Sequence, residues 1–128
     1  MSFLFDSSAL LNVVKRGRAR SLDGYTIDLA FYEIVNAVWK EASLLRRIPD
    51  DAALVLLKGA IAAWETLPKV KVDGVKVFRL AVQLNLTAYD ASYLVAAREK
   101  GLTLVTDDQK LRSIAKGISS QRYLELYP

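Results

Sequence analysis

The sequence predicts an α/β domain with a mainly parallel sheet. Two observations carry this. Short apolar runs of strand length, such as "FLF" and "LTLVT", alternate with longer segments of helical periodicity. Turn and cap residues fall where the two patterns meet, and no linker or low-complexity stretch interrupts them. The expected organisation is one domain over residues 1–128.

The elements follow in order. Leu4 and its neighbours form a buried strand that stops at Asp6, and "SALLNVVKRG" is a helix ending near Gly17. "RARSLDG" is a loop and "YTI" a short strand ending at Asp28. "LAFYEIVNAVWKEASLLRR" is one long helix that stops before Pro49. "DDAALVLLKGAIAAWETL" is the next, with Asp50 or Asp51 near its cap and Pro68 beyond its end. "KVKV" is a strand and "GVKVFRLAVQLN" a helix. "TAYDASYLVAAREKG" is a helix whose Gly101 suits a C-terminal cap. "LTLVT" is a buried strand, "DDQKLRSIAKG" a helix, and "QRYLEL" a last edge strand.

Composition removes whole classes of chemistry. The chain has no Cys and no His. A Cys nucleophile, a Ser-His-Asp triad, a His base and a typical zinc site are therefore excluded. No secretory signal is visible, and "AALVLLKGAIAAW" is broken by Lys58 and Gly59, short of the ~20 residues of a membrane span. The expectation is a soluble, cytoplasmic protein. Net charge is +4, which permits a polyanionic partner without demanding one. Arg16, Arg18 and Arg20 in "KRGRAR", with Arg46 and Arg47, are the candidate contacts to a nucleic-acid backbone; a solvated loop and helix end explain them as well.

Four acidic sites stand out by position. Asp6 and the pair Asp107-Asp108 follow strands; Glu33 and Asp90 lie near the starts of helices. In parallel α/β sheets, ligands bind outside the carboxyl ends of the strands. Singly, each has a structural explanation. Asp6, Ser7 or Ser8 can cap the first helix. Thr87 with Asp90, and Thr106 with Gln109, have capping-box spacing. Together the acids are harder to explain away. Glu33 in "AFYEIVNAVW" and Asp90 in "LTAYDASYLVAA" sit in apolar surroundings, and between Lys76 and Arg98 the only base is Arg79. A buried carboxylate without a cation partner is costly. Oxygen ligands without His or Cys favour Mg²⁺ or Mn²⁺.

These residues resemble a known family. "LFDSSAL", "EIVNAVW", "YDASYLVAAREKG" and "LTLVTDDQKL" match, in order and approximate spacing over nearly the whole chain, the PIN domain, and in particular VapC-type toxin ribonucleases. The resemblance implies a three-layer α/β/α sandwich around a mainly parallel twisted sheet of 4–5 strands, with acids converging in one pocket. It assigns Asp6, Glu33, Asp90 and Asp108 as catalytic carboxylates and as ligands of one or two Mg²⁺ or Mn²⁺ ions. The family's Thr-x-Asp selects Asp108, with Asp107 beside it as the alternative. Ser8 and Thr106 are expected to orient carboxylates or water, and Asn36, one turn from Glu33, to orient Glu33. Ser7 or Ser8 would then cap the first helix and leave Asp6 free for metal.

The resemblance further implies hydrolysis of an RNA phosphodiester, a homodimer and a cognate VapB-type antitoxin that blocks the acidic pocket. Without metal, crowding of the acids should raise some of their pKa values. Other readings are a PIN nuclease of RNA processing and an inactive PIN-fold binding module. A phosphoacceptor role for Asp6 fits poorly, because the second position of Asp-x-Asp is Ser8 and no acidic pair ends the first strand.

Overall fold

The computed structural model describes residues 1–127. At its centre two strands run parallel, β1 (Phe3–Phe5) and β2 (Thr103–Val105), with Leu4 opposite Leu104. Single parallel bridges widen the pair: Leu4 with Tyr25, Thr26 with Lys69, and Val105 with Ile118. Across the sheet the order is Lys69, Thr26, β1, β2, Ile118. The chain steps outward from β1 on one side, then returns to lay β2 on the other. The order therefore reverses between β1 and β2, which is where open α/β sheets place their ligands.

Helices occupy most of the chain: α1 (Ser7–Lys15), α2 (Leu29–Trp39), α3 (Asp50–Thr66), α4 (Gly74–Leu84), α5 (Ala88–Lys100), α6 (Gln109–Ala115) and α7 (Ser120–Leu126). Their ends follow sequence signals. Asp73 caps α4 by accepting from Val75 N at 2.8 Å, and Thr87 caps α5 by accepting from Asp90 N at 3.1 Å. Gly101 ends α5 in the left-handed region.

Three expectations need correction. Of the five expected strands, only β1 and β2 form a ladder; "YTI" contributes two isolated bridges and "KVKV" one. The cause is local. Thr26 N donates to the carbonyl of Pro68 and Val70 N returns a bond to Thr26 O at 2.8 Å, but Pro68 has no N–H to extend the pairing, and α2 begins three residues after Thr26. The helix expected through Arg47 holds α geometry only to Trp39. It then widens over Lys40–Leu44, where Leu45 N reaches back to Lys40 O at 2.8 Å. "QRYLEL" is the helix α7, not an edge strand. Ser119 Oγ caps it by accepting from Arg122 N at 3.0 Å, and Ser120, Tyr123 and Leu124 are buried at helical spacing. Tyr123 drives this packing. Its ring meets Phe5 at 4.8 Å and Phe3 at 5.0 Å, edge to face.

Ile118 takes the outer sheet position instead, which brings Gly117 against β2. A Cβ on Gly117 would collide with the backbone carbonyl of Leu104, the acceptor for Ile118 N. Gly117→Ala is expected to cost about 1–3 kcal/mol, since the backbone must shift to make room. Gly74→Ala, at a helix start with open space around it, should be neutral or slightly stabilising. Urea denaturation of both variants checks the contrast; equal stabilities would refute it.

Candidate active site

Asp6 follows β1 and is 4% exposed. One carboxylate oxygen accepts from Ala9 N at 2.9 Å and from Ser8 Oγ at 2.7 Å. The other accepts from Thr106 Oγ1, at the end of β2. Asp6 thus caps α1 itself, and neither Ser7 nor Ser8 does so. The expectation that a serine would release Asp6 from capping is corrected: cap and strand-end carboxylate are the same group. Burial pushes the Asp6 carboxyl up to about 6; the hydrogen bonds from Thr106, Ala9 and Ser8 oppose the shift, and the charge of Asp107 adds to it.

Ser8 and Thr106 each serve two sides. Ser8 Oγ also accepts from Asp107 N at 3.0 Å, and Thr106 Oγ1 accepts from Asp108 N at 3.1 Å. The two hydroxyls stitch the β1 and β2 ends together. Thr106 does not cap α6 with Gln109 as the box spacing suggested; Asp108 caps it, accepting from Leu111 N at 2.8 Å.

The adjacent aspartates face different partners. Asp107 accepts from Asn12 Nδ2 at 2.6 Å, from Ser120 N at 2.8 Å and from Ser120 Oγ at 2.6 Å, which occupies both its oxygens. Burial works to raise its pKa. The hydrogen bonds from Asn12 and Ser120, with the charge of Arg112, outweigh that and bring it down. Asp107 is bound into the protein. Asp108 spends one oxygen on its cap, and its charge raises the pKa of Asp90.

Glu33 lies on α2 and accepts from Tyr93 Oη at 2.5 Å. Burial raises its pKa first; the Tyr93 hydrogen bond opposes this and the Asp90 charge adds to it. Tyr93 is itself buried, so its phenol stays protonated, first by desolvation and then by the facing Glu33. Asp90 N is capped by Thr87, but among the described residues no group donates to the Asp90 carboxylate. The reciprocal half of the capping box is unmade. The Asp90 pKa is raised by burial, then by Asp108, and Lys110 opposes.

Three acids therefore have raised pKa values, as crowding led one to expect, but burial is the larger cause in each. All donors are hard oxygens, which suits Mg²⁺ or Mn²⁺. Asp6, Glu33, Asp90 and Asp108 are the residues that could hold such an ion. Among the described residues, no three acidic side chains stand close enough together to grip one ion as they lie. Charge and donor type fit a divalent cation, and binding would have to draw the carboxylates inward.

Residues 3–117 match the PIN domain. The chain belongs to the PIN-domain family. It is 42% identical over 91 residues to Exonuclease VapC9 of Pyrobaculum aerophilum, which covers 71% of this chain and 66% of that protein. It is 34% identical over 104 residues to Ribonuclease VapC3 of the same organism, covering 76% of this chain and 75% of that protein. The crystal structure of PAE2754 from Pyrobaculum aerophilum superposes with a TM-score of 0.83 at 29% identity, over 98% of this chain and 96% of that one.

Not every expected residue joins this PIN site. No hydrogen bond runs from Asn36 to Glu33 among the described residues; Tyr93 holds Glu33 instead. Asn36 lines a cavity of about 530 Å³ beside Glu33, Ser7 and Lys40. Arg46 and Arg47 line a separate cavity of about 600 Å³, and Arg16 and Arg18 another of about 340 Å³. Arg18 is also tied to Ser21 Oγ and to the carbonyl of Tyr127. Arg20 lies on a 3₁₀ turn, Ala19–Ser21. None of these arginines lines the Glu33 cavity. The base that does is Lys40, missed in the sequence although it stands seven residues from Glu33, on the same helical face. Tyr93, Asn12 and Ser120 were missed as well. Nothing in the sequence marked Tyr93 as a partner of Glu33 sixty residues away, and Asn12 and Ser120 carried no signal of reaching Asp107.

The Asp6 shift sets a pH dependence. Its folded pKa of about 6 lies above the ordinary 3.8, so the folded state holds a proton that the unfolded chain releases. The associated stability is present below pH 3.8 and lost as pH rises through 6, where ionised Asp6 costs up to ~3 kcal/mol. Asp6→Asn keeps a cap acceptor and removes the charge. Without metal it should be more stable than wild type at pH 8 and lose most of that advantage at pH 4. Urea titrations at the two pH values decide; a pH-independent difference would contradict the shift.

Proposed function

We propose that this PIN domain is a metal-dependent endoribonuclease and the toxin of a VapBC-type pair. The observation that carries the reading is the set of carboxyls with raised pKa values, buried Asp6 and half-buried Glu33 and Asp90, beside Asp108 where the strand order reverses. The VapC names of two relatives support it. Asp6, Glu33, Asp90 and Asp108 would hold Mg²⁺ or Mn²⁺. When bound, the ion supplies a water of lowered pKa and neutralises charge on the phosphate.

The chain's own groups prepare that site. Ser8, Thr106 and the Ala9 amide fix the Asp6 carboxylate, and Tyr93 fixes Glu33 without neutralising it. The unengaged Asp90 carboxylate is available to accept a proton or to ligate. The partners in this reading are an RNA substrate, a second copy of the chain, and a VapB-type antitoxin that presents a basic side chain to the acids.

The test is thermal denaturation with and without millimolar Mn²⁺. Wild type should gain stability, by about 2.7 kcal/mol when the ion is at a hundred times its Kd. Asp90→Asn and Asp108→Asn should lose that gain. Asp107→Ala should keep the gain yet start about 2–4 kcal/mol less stable, because it strands Asn12 and Ser120. If Mn²⁺ and Mg²⁺ both leave wild type unmoved, the metal reading fails. One relative is named an exonuclease, so the mode of cleavage needs its own substrate. A closed circular RNA has no ends. Its cleavage, abolished by EDTA, is expected; cutting of linear RNA alone would make the enzyme an exonuclease.

A further inference from the structure

Two tyrosines remain unaccounted for beside the acids. Tyr32 immediately precedes Glu33 and is 70% exposed; Tyr89 immediately precedes Asp90 and is 62% exposed. They come from different helices, α2 and α5, yet line the same cavity of about 530 Å³ with Ser7, Glu33, Asn36 and Lys40. The Tyr32 ring is backed. Phe31 meets it edge to face at 5.1 Å, and Phe31 rests in turn on Trp64 at 5.3 Å. A ring anchored by an aromatic neighbour and largely exposed can serve as a stacking surface.

Polarity along the cavity is ordered. Glu33 stands at one end and Lys40 at the other, about 10 Å away along the helix axis by its rise of ~1.5 Å per residue. Asn36 lies between them on the same face, with an amide that both donates and accepts. An acid end for the reacting phosphate, an amide and two aromatic faces for a base, and a lysine for a neighbouring phosphate are what a nucleotide strand requires.

We infer that Tyr32 and Tyr89 form a stacking platform for a nucleobase beside the reacting phosphate, with Lys40 holding an adjacent phosphate. The inference rests on the ribonuclease reading and names the side chains that position its substrate. A base inside a duplex has both faces covered by its neighbours and cannot meet these rings without unstacking.

The test is fluorescence anisotropy in EDTA, with a labelled short oligoadenylate and a fully paired RNA duplex of equal length. Tyr32→Ala and Tyr89→Ala should each weaken oligoadenylate binding by roughly 10-fold and leave duplex binding unchanged. Tyr→Phe at either position should restore it, since stacking needs the ring and not the hydroxyl. Lys40→Ala should weaken both ligands and flatten the salt dependence by about 0.7 in log–log slope. Both tyrosines are exposed, so the variants should retain wild-type melting temperatures. If wild type binds and cleaves single-stranded RNA and the Ala variants match it, the platform is refuted and the nuclease reading survives. If wild type binds no RNA in EDTA, the platform is refuted, and the nuclease reading stands or falls on cleavage with Mn²⁺. Equal loss in Ala and Phe variants would assign the effect to the hydroxyls and also overturn stacking.

Discussion

The Asp6 carboxylate is gripped at once by the α1 amide of Ala9, by Ser8 and by Thr106 from the other strand. Three of its roughly four acceptor positions are filled. One side chain therefore joins the end of β1, the start of α1 and the end of β2. The hydroxyls that hold it pass the tie onward, Ser8 to the amide of Asp107 and Thr106 to the amide of Asp108. Asp107 and Asp108 are thereby placed relative to this junction. A strand-end aspartate need not choose between capping and ligation, because the cap uses lone pairs on one oxygen and leaves room on the other.

The site is stabilised by neutral donors. Ser8, Thr106 and Tyr93 offer hydroxyls, and Ala9 a backbone amide. No lysine or arginine pairs with Asp6, Glu33, Asp90 or Asp108 among the described residues. The ion pairs there are Lys15 with Glu41, Lys76 with Glu99 and Arg122 with Glu125, all at the surface. Such pairs contribute little to stability. An arginine in the pocket would lower the carboxyl pKa values and consume the charge that attracts a cation. Hydroxyls position a carboxylate while leaving that charge standing, and raised pKa values are the measure of what is left uncompensated.

Much of this was legible beforehand, for identifiable reasons. β1, β2 and the ends of α5 carried strong local signals: apolar runs, Thr87, Gly101. The acids were legible because strand ends and helix starts fix where a residue sits on the sheet edge. Long-range partners were not. Asn12 meets Asp107 across 95 residues and Ser120 meets it from α7, and neither contact leaves a mark in its own neighbourhood of sequence. For the same reason the different partners of Asp107 and Asp108 could not be read from the sequence: both oxygens of Asp107 are occupied from afar, while Asp108 caps its own helix. The strand reading of "QRYLEL" failed because six residues fit either period; Tyr123, wedged against Phe3 and Phe5, made the helical one win.

That wedge bears on the site itself. The match to the PIN domain ends at residue 117, yet the supports of the site continue past it. Ser120 fixes Asp107 through both its amide and its hydroxyl, and the Asp107 amide is in turn bound to Ser8 beside Asp6. Tyr123 covers β1, donates to the carbonyl of Ser21 and accepts from Asp23 N at 3.0 Å, which fastens α7 to the loop before Tyr25. The close approach of Gly117 to Leu104 aims the chain so that α7 begins at Asp107. Position 107 is then a relay. It transmits the docking of the carboxyl-terminal helix to the hydroxyl that orients Asp6, through two acceptor oxygens on its side chain and its own backbone N–H. A second acid next to Asp108 is thereby explained without giving it a ligand's role.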